Sequence, residues 1–134
     1  MSTKNFTIVG KISNVELEKR LVFGWASVIE DLQGNVVEDL QGDIIEIDTL
    51  EETAYLYVEE YRDAGDMHEF TGVGTLVESM VFSKEKQEAL GIPQGILPVG
   101  WWIGFRADKD VFDRIKNGEI TAFSIGGSAT REEV

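Results

Sequence analysis

Cysteine is absent from the 134 residues, proline occurs twice and histidine once. The missing thiols exclude disulfides, thiolate zinc sites and cysteine nucleophiles. They also make the chain compatible with a reducing compartment. A lone imidazole leaves room for one histidine base and for no HExxH-type pair of metal-ligating histidines. His68 with Asp66 and Glu69 is too thin a ligand set for a transition metal, so no metal is expected. No P-loop or GxGxxG is present, and Gly72-Val73-Gly74 is too short to cradle a nucleotide, so no cofactor is expected either. No apolar run reaches the ~18 residues of a membrane span. No apolar signal core follows Met1-Ser2-Thr3-Lys4-Asn5. The expectation is a soluble, unsecreted protein with no membrane partner. Basic residues are scarce, 12 Lys plus Arg against 25 Asp plus Glu, and the net charge is −13. A field of that sign repels phosphate backbones and argues against nucleic acid as a partner.

What is present suits one domain over residues 1–134, with 43% apolar residues to build a core. Phe6–Ser13 reads as a first strand, Asn14–Lys19 as a turn or one helical turn, and Arg20–Ile29 as a second strand with Gly24 marking a bulge or close backbone approach. Asp31-Leu32-Gln33-Gly34 recurs as Asp39-Leu40-Gln41-Gly42. Each copy has turn chemistry, because aspartate can bond its own backbone two residues on and glycine permits positive φ. Asp48–Arg62 is predicted to be a helix. Asp48 would be its N-cap, Glu51 the partner in a capping box, and Leu50, Ala54, Tyr57, Val58 and Tyr61 its apolar face.

Thr71–Phe82 reads as a strand, alternating from Thr75 onward with Leu76, Glu78 and Met80 on one side and Val77, Ser79 and Val81 on the other. Ser83 is placed to cap a short helix, Lys84–Leu90, closed by Gly91. Trp101–Ala107 is a further strand, whose adjacent tryptophans must point to opposite faces, leaving one of them part-exposed unless helices cover both sides. Asp108 is read as the N-cap of a helix over Lys109–Asn117 with Gly118 just past its end, and Glu119–Ala129 as the last strand. Strands separated by single helices, without strict βαβ alternation, predict an α+β domain: a mixed or antiparallel sheet, curled or barrel-like, with two or three helices around it.

Hydrolytic chemistry needs a hydroxyl, a base within reach and donors for an oxyanion. Ser124, Ser128 and Ser79 are the hydroxyls near structured glycines. Ser124 is favoured because Ile125, Gly126 and Gly127 follow it, small residues whose backbone N–H groups can turn toward a substrate carbonyl. His68 is then its base. A serine in a glycine-flanked strand and a lone histidine each also have a purely structural reading, and composition does not choose between the two.

Several segments together carry a resemblance: Gly24-Trp25-Ala26-Ser27-Val28-Ile29-Glu30, then Asp39-Leu40-Gln41-Gly42-Asp43-Ile44-Ile45, Met67-His68, and Val73-Gly74-Thr75-Leu76-Val77-Glu78-Ser79. These are followed by Lys84-Glu85-Lys86-Gln87-Glu88-Ala89-Leu90-Gly91-Ile92, Gly100-Trp101-Trp102-Ile103-Gly104-Phe105 and Phe123-Ser124-Ile125-Gly126-Gly127. In this order, from about Phe23 to the C-terminus, the chain resembles the XkdF-like serine proteases of tailed phages and prophages. These are relatives of the prohead maturation proteases and, more distantly, of the herpesvirus assemblins. The resemblance implies a barrel-like sheet and a Ser–His endopeptidase that cleaves scaffold or capsid proteins during capsid maturation. Ser124-Ile125-Gly126 and His68 fall on the matching positions. It further implies action in the cytoplasm of the bacterial host, within the assembling procapsid, and is compatible with a homo-oligomer. Related proteases use a third residue. Glu78 is taken for that role here, with Glu69, Asp66, Asp43, Glu132 and Glu133 as alternatives. The rival expectation is a catalytically inactive protein of the same fold, serving as an assembly or host-factor-binding module.

Overall fold

The computed structural model describes residues 2–38, 42, 44–61, 74–120 and 122–131, and for 2–10, 61 and 122–131 it describes the backbone. Among these residues five strands and three helices alternate irregularly: β1 (Ser2–Glu16), β2 (Leu21–Glu30), α1 (Ile47–Tyr61), β3 (Gly74–Phe82), α2 (Lys84–Ala89), β4 (Val99–Ala107), α3 (Lys109–Lys116) and β5 (Ala122–Arg131). The strands form one antiparallel sheet in the order β3-β4-β2-β1-β5. The α+β class is as expected. The barrel-like closure is not found: β3 and β5 are the two edges, and among the described residues no ladder joins them. Each neighbour reverses direction, so β3 and β5 run the same way.

The β1–β2 hairpin is longer than the sequence pattern suggests. Asn14–Glu16, expected in a turn, extend β1, because an irregularity between Ile12 and Asn14 absorbs one residue and restores pairing with Phe23. The reversal itself is held by Glu16, whose carboxylate accepts from the Glu18 and Lys19 amides at 3.1 and 2.8 Å. Arg20 completes it at φ 56. The bulge anticipated at Gly24 falls further along β2: Gly24 pairs in register with Ile12 and Ile103, and the ladder slips between Trp25 and Ser27. Aspartate turn chemistry operates at the first copy of the repeat. Asp31 Oδ1 accepts from the amides of Gln33 (3.0 Å) and Asn35 (2.8 Å), and Gly34 sits at φ 85. These bonds, above all the one from Asn35, hold the Asp31 carboxyl below its usual pKa. In the second copy Asp39, Leu40 and Gln41 lie outside the described residues.

One face of the sheet carries the core. Val22, Val81, Trp101, Ile103 and Phe105 are buried to 1% exposure or less, and Leu50, Ala54 and Tyr57 of α1 pack over them. The Tyr57 ring meets Trp101 edge-on at 5.7 Å. The tryptophan pair divides as its parity requires: Trp101 is fully buried, while Trp102 lies on the opposite face, stacked on Phe23 at 6.3 Å and edge-on to Trp25 at 5.2 Å. Gly100 is obligatory at the start of β4, since a Cβ there would stand 2.3 Å from the Ser27 carbonyl oxygen.

β3 departs from strict alternation. Leu76 faces Phe105 and Glu78 faces Gly104, so Val77 is the extra residue of a bulge. Parity flips at that point, which leaves Val77 and Glu78 both exposed and returns Ser79 and Val81 to the core side. The expected grouping of Leu76 with Glu78 and Met80 therefore fails at the bulge.

The helices begin close to where capping chemistry places them. α1 opens one residue early, at Ile47. Asp48 therefore lies in its first turn, where it complements the helix dipole, rather than at the N-cap. α2 is capped as expected, with Ser83 Oγ accepting from the Lys86 amide at 3.2 Å and Gly91 at φ 74 beyond the helix. Buried Gln87 donates to the carbonyls of Phe82 and Pro98, both at 3.0 Å, which ties the following loop to the end of β3. Asp108 is the N-cap residue of α3 by position, but its side chain makes no cap hydrogen bond.

α1 and α2 are linked by a three-residue charge cluster. Lys86 Nζ donates to Tyr55 Oη at 2.6 Å, Tyr55 Oη donates to Glu51 Oε2 at 2.7 Å, and Lys86 and Glu51 pair at 3.3 Å. The tyrosine hydroxyl is the main cause of a lowered Glu51 pKa; partial burial opposes it and Lys86 adds to it. For Lys86, burial works against the charged form, but the bonds to Tyr55 and Glu51 outweigh it and raise the pKa. The cluster therefore contributes fully between the ordinary values of 4.5 and 10.5. Its contribution fades as pH falls through the depressed Glu51 pKa or rises through the elevated Lys86 pKa. Tyr55→Phe is expected to cost about 1 kcal/mol at neutral pH in urea denaturation. That cost should shrink in acid, where Glu51 protonates in both proteins. A pH-independent difference would show that the cluster does not act through charge.

Candidate active site

β5 carries the favoured nucleophile. It follows α3, which ends at Lys116 and turns through Gly118 at φ 77. Ser124 is paired with Val9 of β1, and Ile125, Gly126 and Gly127 with Ile8, Thr7 and Phe6. The serine thus sits within an edge strand whose other side has no partner among the described residues.

This strand geometry constrains the oxyanion donors. In an antiparallel ladder successive residues direct their backbone groups to opposite sides. The N–H groups of Ile125 and Gly127 therefore point one way and that of Gly126 the other. Two adjacent amides of this segment cannot converge on one oxygen while the ladder with β1 holds. Either Gly126 alone or the Ile125/Gly127 pair faces the open edge.

His68 lies outside the described residues, as do Asp66, Glu69, Asp43, Glu132 and Glu133. Among the carboxylates considered for a third member, Glu78 is the one the structure places. It is exposed, beside the β3 bulge and opposite Gly104. β3 and β5 are opposite edges with three strands between them. Counted along the sheet, four inter-strand spacings of ~4.8 Å, ~19 Å in all, lie between the strand of Glu78 and that of Ser124. Among the described residues no ladder joins the two strands. The sequence could not reveal this, because residue pattern reports which face a side chain takes and not the order of strands.

The other hydroxyls separate clearly. Ser79 is half-buried, and its Oγ accepts from the Trp101 indole N–H at 2.8 Å, a structural role in the core. Ser128 lies further along β5, paired with Asn5. Among the described residues no group of three His, Cys, Asp or Glu is arranged to hold a metal ion. No helix there is long and apolar enough to cross a membrane.

The family model described as "Putative phage serine protease XkdF" matches residues 8–133, and the chain belongs to that phage serine protease family. The chain is also similar to the uncharacterized protein YqbD of Bacillus subtilis (strain 168), 32% identical over 82 residues. That match covers 60% of the chain and 24% of YqbD, so the chain spans about a quarter of that relative's length. No solved structure matches the chain.

Proposed function

We propose that this chain is the peptidase domain of a phage prohead protease, an endopeptidase that cleaves scaffold and capsid proteins in the assembling procapsid within the bacterial cytoplasm. The observation that carries the reading is membership of the phage serine protease family over residues 8–133, together with a serine of the matching motif in an edge strand. An edge strand leaves backbone groups free, and an extended substrate can lie beside it. Ser124 Oγ attacks the scissile carbonyl carbon while His68 takes its proton. The tetrahedral oxyanion is held by whichever of the Ile125, Gly126 and Gly127 amides face the open edge. His68 then protonates the departing amine, leaving an acyl-enzyme that water hydrolyses with the same histidine as base. Glu78 has no part in this scheme.

The separation of Glu78 from β5 favours one competing reading, that of an inactive module with the protease fold. A fluorophosphonate probe separates the two. The wild type is expected to be labelled, Ser124→Ala to be unlabelled, and His68→Ala to label at a small fraction of the wild-type rate. Equal labelling of all three, or none of the wild type, would overturn the peptidase reading.

A further inference from the structure

A groove of about 390 Å³ opens where the end of β2, the start of β4, the first turn of α1 and the link into α2 converge. Its volume lies in the range of ligand sites, ~300–1,000 Å³. Its walls are aliphatic, formed by Ile29, Val36, Ile44 and Val99 among others. Two of these are presented to solvent: Val36 is 64% and Ile44 60% exposed. Five of the seven polar or charged side chains that line it are carboxylates, the others being Ser83 and Lys84. Glu30 is neutralised by Lys84 at 3.0 Å, and Glu51 by Lys86 at 3.3 Å. Glu46, Asp48 and Glu85 also line the groove, and no ion pair neutralises them among the described residues. Allowing about half a positive charge for each of the two helix N-termini nearby, the rim remains negative.

We infer that this groove is a docking site for a cationic, apolar peptide segment of a partner protein, one with aliphatic or aromatic side chains flanked by lysine or arginine. The apolar residues fill the aliphatic trough, where burial of carbon surface supplies the affinity. The flanking cations meet Glu46, Asp48 and Glu85, which set the preference over neutral or acidic segments. The excess negative charge of the chain, −13, steers such a segment in but does not localise it; the localising element is the trough. The inference does not depend on the peptidase reading, because it concerns binding and uses none of Ser124, His68 or β5.

The test is fluorescence polarisation of the full chain with a fluorescein-labelled peptide of alternating lysine and leucine. Two comparison peptides are used, one with serine for every leucine and one with glutamate for every lysine. Both are expected to bind at least about tenfold more weakly. Ile44→Ser, and separately the Glu46→Gln/Glu85→Gln double variant, change exposed residues and are each expected to weaken the parent peptide about five- to tenfold. Glu59→Gln/Glu60→Gln removes the same charge from the far end of α1 and is expected to bind as wild type does. Equal binding of the serine peptide would reduce the effect to surface charge and overturn the inference. So would unchanged binding by the groove variants, or equal loss in the α1 control.

Discussion

Ser124→Ala is expected to lower cleavage of the proposed scaffold or capsid substrate by about four orders of magnitude or more, because no other group in the scheme can form the acyl-enzyme. His68→Ala is expected to lose nearly as much, and the double variant no more than the worse of the two. Residues that act as one unit are strongly non-additive: once the nucleophile is gone, the base has nothing to activate. Losses that multiply in the double variant would mean that the serine and the histidine contribute separately, which the proposed mechanism forbids. Glu78→Gln provides the contrast. It is an exposed residue on the edge opposite β5, and its replacement is expected to leave the rate within about threefold. A large loss there would require β3 and β5 to meet, in conflict with the strand order. Rates read from gel densitometry at fixed enzyme concentration, with the urea midpoint of each variant as a folding control, decide all four cases.

The second large effect is on stability. Trp101→Ala is expected to destabilise the fold by about 3–5 kcal/mol in urea denaturation followed by far-ultraviolet circular dichroism. Against the ~5–15 kcal/mol of a typical domain that is a severe loss. Trp101 is 0% exposed, meets Tyr57 edge-on at 5.7 Å and donates its indole N–H to Ser79 at 2.8 Å. Truncation empties the centre of the core. Trp102 is its chain neighbour and chemically identical, but it lies on the half-buried face. Trp102→Ala is expected to cost clearly less, since the solvent already reaches part of its ring and can fill the space. Equal losses at the two positions would contradict the assignment of faces. Ser79→Ala should cost about 1–3 kcal/mol by leaving a buried indole donor without its acceptor.

Local chemistry was legible from residue types. The division of the two tryptophans, the Asp31 turn, the Ser83 cap and the glycines after α2 and α3 each depend on a few neighbouring residues, and each is found where the pattern placed it. Features that depend on pairing partners were not legible. The Val77 bulge, the slip after Trp25 and the extension of β1 to Glu16 are set by the opposite strand, whose identity no local pattern contains. The same limit divides the candidate site. Ser124 could be placed in a strand from its own surroundings, whereas the choice of Glu78 required knowing which strands border which, and the sheet puts three strands between them.

The ladder between β1 and β5 joins Ser2–Lys11 to Ala122–Arg131, segments separated by most of the polypeptide. On the ribosome β1 can zip to β2 at once, but its other flank waits until every element between it and β5 has emerged. The segment bearing Ser124 is therefore the last of the five strands to dock. In the proposed role, the hydrolytic centre would be assembled only after β5 has been synthesised and has docked on β1.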